Sequence, residues 1–334
     1  MTLARTNSLP TLLDLSRLEP KIAERILAAR SSSTWARYEK ALRRFQRWCE
    51  ERGEQLQVPV PPELVARWLS SLADEGLSAS TLYVSSAAVR ALHETGGHES
   101  PTNHPQVRAL LKGARRELTA QQVVHQADPI LVDDLRTMVA QAYQTHPRYQ
   151  VDGQLLSRDL ALLLFGWAGG FRREELAALR VEQLQFDRAE RSVIVRLDHA
   201  KNRVGEPHER RLVAADASDL CPIGALETWL SSAGISEGHV FRRFSRGRIT
   251  ARPITGSTVD AVVRRFATAL PRDVGRKLIY SAHSLRAGIA TAAALADKPD
   301  RDIADHLGHR SVSTTQRYVR TARVRKGNLT KGIL

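Results

Sequence analysis

The sequence predicts a mainly α-helical protein with a small β-sheet or hairpin: an all-helical N-terminal domain followed by a mixed α+β domain. Three observations carry this expectation. Apolar residues recur at three- and four-residue steps along most of the chain. Short β-like runs are confined to the stretch around residues 192–213. The chain has 334 residues, 42% of them hydrophobic, which exceeds one ordinary domain and suffices for two modest cores.

Residues 1–30 read as an N-terminal extension and 31–117 as the helical domain. Ser33 or Thr34 can cap a helix striped by Trp35, Tyr38, Leu42, Phe45 and Trp48. Pro59, Pro61 and Pro62 break the chain, after which Leu64, Val65, Trp68, Leu69 and Leu72 repeat the helical period until Gly76. Ser78 or Ser80 opens a further helix with Leu82, Ala88, Val89 and Leu92 inward and Gly96-Gly97 at its end. A shorter one carrying Val107, Leu110 and Leu111 leads to Lys112, Arg115 and Arg116. Residues 118–128, LTAQQVVHQAD, lack a helical stripe and read as a linker.

The second domain is expected over 129–334, including a C-terminal tail. Leu131, Leu135, Val139 and Ala140 mark an amphipathic helix, and Leu155 to Trp167 a more buried one. Ser192–Arg196 and Arg210–Val213 are strand-like, and the polar stretch LDHAKNRVGEPHE between them suits an extended hairpin tip. Helices resume over 221–230, 258–270, 284–296, 300–307 and 313–319. No internal repeat or low-complexity tract is evident.

Fifty Lys+Arg against 36 Asp+Glu give a formal charge of +14, which favours a polyanionic partner. Both portions are basic. Arg37, Lys40, Arg43, Arg44 and Arg47 crowd one N-terminal helix, as a DNA-facing surface or simply a solvated face. Two cysteines, Cys49 and Cys221, are too few for a disulfide framework, which fits a reducing cytoplasm. No apolar run approaches the roughly 20 residues of a membrane span, so the expected partner is nucleic acid rather than membrane. A bacterial host would place it with the nucleoid.

The chemistry-bearing residues come in a definite order. Gly170-Phe171-Arg172-Arg173-Glu174-Glu175-Leu176 supplies an arginine beside a carboxylate; His283-Ser284-Leu285-Arg286, Leu307-Gly308-His309 and Tyr318 follow far downstream. Attack on a phosphodiester builds charge on its nonbridging oxygens, so a catalyst needs fixed cationic donors aimed at them. A guanidinium stays charged, and its planar fork matches two phosphate oxygens, which makes Arg172 and Arg286 the natural clamp. Glu175 lies one helical turn after Arg172 in a supporting place. His283 and Arg286 share a turn at a helix start, where backbone N–H groups also favour an anion. His309 follows a helix-ending glycine and can donate to phosphate or assist a nucleophile.

Tyr318 sits in the polar run STTQRYVR, where its hydroxyl can serve a site. A phenol with pKa about 10 is a weak nucleophile until its proton is removed beside a charge-neutralised phosphate. Lys201, at the hairpin tip, is the only lysine between Lys112 and Lys277 and is a candidate acid for the departing 5′-oxygen. Chance retention on a solvated turn is the competing explanation. His93-Glu94-Thr95-Gly96-Gly97-His98 is one residue too long for a zinc-binding HExxH helix, and no phosphate-binding Gly-x4-Gly-Lys loop occurs, so neither a metal nor another cofactor is implied.

In their order, these motifs resemble the tyrosine recombinases of the phage-integrase family. GFRREEL is similar to the first arginine box, and HSLRAG with LGHRSVSTTQRY to the second, with 32 residues from Arg286 to Tyr318. STWARYEKALRRFQRWCEERG and SLRAG are similar to Cre-like members, while His309 follows the family's commoner pattern. The resemblance implies a helical core-binding domain and a catalytic domain closing as a C-shaped clamp on DNA. It implies that Arg172, Lys201, His283, Arg286 and His309 surround the scissile phosphate, with Tyr318 the nucleophile and Glu175 supporting. It also implies a covalent 3′-phosphotyrosyl intermediate and strand exchange through a Holliday junction. The implied partners are inverted DNA half-sites, a homodimer on one site, a homotetramer in synapsis, and accessory proteins. A nicking-resealing type IB topoisomerase and a catalytically silent DNA-binding regulator are the alternatives.

Overall fold

A computed structural model describes residues 19–121, 127–197, 208–216, 218–271, 278–309 and 311–326. The chain divides into two compact units between residues 124 and 125.

The first unit is helical: α1 (Pro20–Ala28), α2 (Ser32–Glu50), α3 (Pro62–Asp74), α4 (Ala79–Thr95) and α5 (Pro105–Gln121). α2 starts two or three residues earlier than a cap at Ser33 or Thr34 predicts. Ser31 is in extended conformation and its Oγ accepts the Thr34 N–H at 3.3 Å, so Ser31 makes the cap. The predicted stripe is inward, and the Phe45 ring stacks on Trp68 with centroids 4.2 Å apart. α1 lies in the stretch expected as an extension. Its Ala23, Ile26 and Leu27 pack on the same core, and Leu27 O accepts the Trp35 indole N–H at 2.8 Å. α5 runs on through Gln121, so helix occupies the start of the stretch read as a linker. Its Leu118 is buried in the core, an apolar anchor that the polar composition of 118–128 concealed.

His93 is a core residue. It is fully buried, its Nε2 accepts the Val60 N–H at 2.9 Å and its Nδ1 bonds Val89 O at 2.8 Å. Both ring nitrogens are used for packing, which accounts for the histidine in the false zinc motif. Among the described residues no three His, Cys, Asp or Glu side chains gather as a metal cage.

The second unit holds α6 (Val132–Ala140), α7 (Gly153–Gly169), α8 (Arg173–Ala178), β1 (Leu184–Asp187), β2 (Ser192–Leu197), β3 (His208–Val213), α9 (Pro222–Ser232), β4 (Arg242–Ser245), β5 (Arg248–Pro253), α10 (Gly256–Phe266), α11 (Ala282–Leu295), α12 (Asp300–Leu307) and α13 (Val312–Lys326). β1, β2 and β3 form an antiparallel sheet in that order; β4 and β5 pair as a separate hairpin. The register sets Val193 opposite Leu212, Val195 opposite Arg210 and Leu197 opposite His208. With the two-residue period of a strand, His208, Arg210 and Leu212 therefore face inward together.

α7 is the buried spine. Asp152 caps it by accepting the Leu155 N–H at 2.9 Å, and it ends on Gly170, whose φ of 55° is left-handed. A Cβ on Gly170 would lie 2.5 Å from Leu307 Cδ2, so both conformation and space demand glycine. Gly308, with φ of 66°, ends α12 the same way. The two turns meet, and the candidate site is built on their junction. No helix among the described residues is long and apolar enough to cross a membrane.

Candidate active site

Arg172 is the residue before α8, and Glu175 reaches back over the first turn of that helix. Glu175 Oε2 accepts the Arg172 backbone N–H at 3.0 Å, and Oε1 accepts its guanidinium Nη1 at 2.5 Å. This satisfies a helix-start donor and holds the arginine side chain at once. Arg210 adds a third bond from β3, Nη2 to Oε2 at 3.4 Å. Burial alone would raise the Glu175 carboxyl, but the Arg210 charge and the Arg172 bonds and charge together hold it below the usual carboxylate range. Glu175 is therefore an anion at neutral pH and a structural acceptor.

Arg286 projects from the second turn of α11 and is 3% exposed. Its Nη1 donates to Gly170 O at 2.6 Å and its Nη2 to Leu307 O at 2.7 Å. One guanidinium thus bridges the two glycine turns. Burial, with Arg172 and Arg210 nearby, draws its pKa down to about 10, which still leaves it charged at neutral pH.

The start of α11 is tied to α8. Asp260 on α10 accepts the Ala282 backbone N–H at 2.9 Å through Oδ1 and the Arg173 guanidinium at 2.7 Å through Oδ2. One carboxylate therefore sets the helix carrying His283 and Arg286 against the helix that follows Arg172. Ser281 caps α11 by accepting the His283 N–H at 3.2 Å.

Tyr318 arrives on α13. Its hydroxyl lies 3.0 Å from His283 Nε2. The Tyr318 ring also runs nearly parallel to His309, with centroids 6.3 Å apart and an interplanar angle of 10°. His309 is placed by the Gly308 turn, where its N–H bonds Ala304 O at 2.9 Å, and its Nδ1 is 2.8 Å from the buried Thr315 hydroxyl. Burial, then Arg286, Arg172, Arg210 and His283, lower its pKa to about 4. His283 is lowered too, first by desolvation and then by Arg286 and Arg172. Burial raises the Tyr318 phenol, with Arg286, Arg317 and Arg172 opposing. Both imidazoles are thus neutral at pH 7 and the phenol keeps its proton, so Tyr318 can donate to a His283 Nε2 that accepts.

Six of the residues predicted from the sequence, Arg172, Glu175, His283, Arg286, His309 and Tyr318, converge here. Lys201 lies outside the described residues. Arg37, Lys40, Arg43, Arg44 and Arg47 are exposed on α2 in the other unit; Arg43 pairs with Glu39 and Arg44 with Glu75, while Arg37, Lys40 and Arg47 have no carboxylate partner among the described residues.

Sequence reasoning missed two features. Arg210 stands in a strand-like run that suggests no role for it, although the period of two places it on the same face as apolar Leu212. The β4–β5 hairpin, RRFSRGRITARP, lies outside the strand-like runs that the sequence predicts. Its Arg243, Arg246, Arg248 and Arg252 are exposed and have no carboxylate partner among the described residues. Four uncompensated cations on one short hairpin make a concentrated positive surface.

This arrangement is accompanied by clear relationships to known proteins. Residues 136–325 match the phage integrase family, and residues 25–97 match the phage integrase N-terminal SAM-like domain. An integrase/recombinase xerD homolog of Selenomonas ruminantium is 28% identical over 319 residues, covering 93% of this chain and 88% of the relative. The recombinase cre of Escherichia phage P1 is 22% identical, covering 87% and 84%. Among solved structures, the XerH site-specific recombinase in its post-cleavage complex with palindromic difH substrate superposes with a TM-score of 0.57 at 15% identity, covering 89% of this chain and 78% of that one. A lambda integrase dimer bound to a COC' core site gives 0.52 at 17% identity, covering 92% and 96%. The structural likenesses show a shared fold. With the family match extending over more than half of its length, the chain belongs to the phage integrase family of tyrosine recombinases.

Proposed function

We propose that this chain is a site-specific DNA recombinase whose Tyr318 cleaves and rejoins DNA through a covalent 3′-phosphotyrosyl intermediate. The observation that carries this reading is the Tyr318 hydroxyl held 3.0 Å from His283 Nε2 beside a buried arginine group. A scissile phosphate seated against Arg172 and Arg286 would have two forked cations on its nonbridging oxygens. Arg286 is already fixed by two carbonyls, so little side-chain freedom is lost when it meets substrate.

The step balances without an external co-reactant. The phenol proton passes to His283 as the tyrosine oxygen bonds phosphorus, the phosphorus–O5′ bond breaks, and O5′ takes a proton. Lys201 is the assigned donor for that proton. The energy of the phosphodiester is conserved in the phosphotyrosyl bond, so attack by another strand's 5′-hydroxyl reverses the chemistry and completes exchange. His309 assists as a neutral donor: when the Thr315 hydroxyl donates to its Nδ1, the ring hydrogen is on Nε2 and available to a phosphate oxygen. Glu175 supports Arg172.

DNA is the partner this surface fits. The unpaired arginines of the β4–β5 hairpin and the basic face of α2 each supply phosphate-seeking charge, one in each unit. Two protomers on inverted half-sites, and two such pairs in synapsis, would exchange strands in turn through a Holliday junction in the cytoplasm.

The same constellation would also serve a nicking-resealing topoisomerase. Incubating the protein with a supercoiled plasmid, with and without paired copies of its captured site, separates relaxation alone from recombinant product. The regulator reading requires wild type to form no covalent adduct on DNA that it binds.

A further inference from the structure

Arg210 has a side chain with no exposed surface, yet it makes more links across the site than any residue singled out in the sequence. From the centre of β3, its Nη1 donates to Gly169 O at 2.9 Å, and its Nη2 to Leu307 O at 3.3 Å and to Glu175 Oε2 at 3.4 Å. Its guanidinium lies over the Phe171 ring, 4.9 Å from the centroid. Arg286 uses the neighbouring acceptors, Gly170 O and the same Leu307 O. The two arginines therefore share one carbonyl and occupy consecutive carbonyls of the other turn.

We propose that Arg210 is a positioning residue for strand cleavage, holding the turn that precedes Arg172 and the turn that precedes His309 at the spacing the phosphate site needs. This rests on the assignment of that site made above. Each turn is followed almost at once by a side chain of the site: Arg172 two residues after Gly170, His309 two residues after Leu307. Glu175, the group that holds Arg172, is itself held by Arg210. Packing does not account for a guanidinium in this slot, because an apolar side chain of similar length would avoid the desolvation cost of a buried cation. A fork spreads its donors over separate nitrogens and so spans two carbonyls and a carboxylate that a single ammonium nitrogen would have to meet from one point.

Charge supports the same conclusion. Among the described residues Arg172, Arg210 and Arg286 face one carboxylate, Glu175, and Arg210 Nε has no hydrogen-bond partner. The group is two positive charges in excess until an anion enters. A phosphodiester brings one negative charge and gains a second as the pentacoordinate transition state forms, so the excess is matched at the moment of reaction.

The test uses the full-length protein and a nicked suicide duplex carrying the sequence that wild type captures from a randomised DNA library. Single-turnover adduct formation and DNA affinity are measured for wild type, Arg210→Met and Arg210→Lys. The expected result is a loss of about a hundredfold in cleavage rate for Arg210→Met, with DNA affinity within about threefold of wild type. Arg210→Lys should regain about tenfold of the lost rate. The pH profile gives a readout that a purely structural role would not move. His309 faces Arg286, Arg172, Arg210 and His283, and removing the Arg210 cation makes it easier to protonate, so the acid limb of cleavage should shift to higher pH in Arg210→Met. Cleavage by Arg210→Met within about twofold of wild type, or an unmoved acid limb with rate and affinity lost together, would overturn the proposal. If Arg210→Met does not fold, Arg210→Lys decides: slowed cleavage at unchanged affinity supports positioning, and wild-type cleavage refutes it. Wild type failing to form a Tyr318 adduct on captured DNA defeats the functional reading itself, a result distinct from any difference among the variants.

Discussion

The Tyr318 hydroxyl and the Nε2 of His283 stand 3.0 Å apart although 35 residues separate them in the chain. That contact makes His283 the group able to take the phenol proton. Replacing His283 by alanine should slow single-turnover cleavage by about a hundredfold or more, the usual contribution of a positioned base, while leaving DNA affinity close to wild type. An equal loss of affinity would mean that His283 acts in binding instead.

His309 and pH form the second prediction. Its folded pKa is about 4, below the ordinary histidine value near 6.5, so the unfolded chain binds the proton more readily between those values. The stability that His309 contributes is fully present above about pH 6.5 and is lost as pH falls toward 4. Thermal melting across this range should show the decline in wild type and a shallower one in His309→Gln. Parallel curves would show that His309 is not held neutral.

Glu175 holds two arginines, so neutralising it leaves the buried Arg210 and the half-buried Arg172 without their counter-charge. Glu175→Gln should lower unfolding free energy by about 3 kcal/mol at pH 7, measured by urea denaturation. The sign with pH follows from a depressed carboxyl. The stabilisation is present above the unfolded carboxyl pKa of about 4.3 and disappears as pH falls through the lower folded value, where wild type and variant should converge.

Much of this site was legible because its motifs are local: an arginine with a carboxylate one turn on, a histidine and arginine one turn apart, a glycine before a histidine. The stripe of α2 was legible for the same reason, since helical period depends only on near neighbours. What escaped reading depends on partners far along the chain. Ser31 caps α2 because the chain enters through a helix, α1, that leans on Trp35. β4 and β5 half-bury only Arg242, Phe244, Ile249 and Thr250 and expose the rest, Arg243, Arg248 and Arg252 among them, so no apolar period of two stands out. Arg210 and Arg211 are adjacent and of one type, so composition does not tell them apart; pairing with β2 turns the first inward and leaves the second out.

The hairpin yields a prediction of its own. Changing Arg243, Arg246, Arg248 and Arg252 together to glutamine should weaken binding to duplex DNA at low salt. It should also flatten the slope of log affinity against log salt by about one unit for each phosphate contact removed. Fluorescence anisotropy over a salt series measures both. An unchanged slope would remove the hairpin from the DNA surface, and the same series on Arg37, Lys40 and Arg47 tests the helix of the other unit.

The central claim is that Tyr318 becomes covalently joined to DNA. Protein incubated with the captured duplex, digested with trypsin and analysed by mass spectrometry should carry nucleotide on the peptide containing Tyr318, joined through a 3′-phosphate. Tyr318→Phe should bind the same duplex and form no adduct. An adduct mapped to another residue, or one that persists in Tyr318→Phe, would contradict the account.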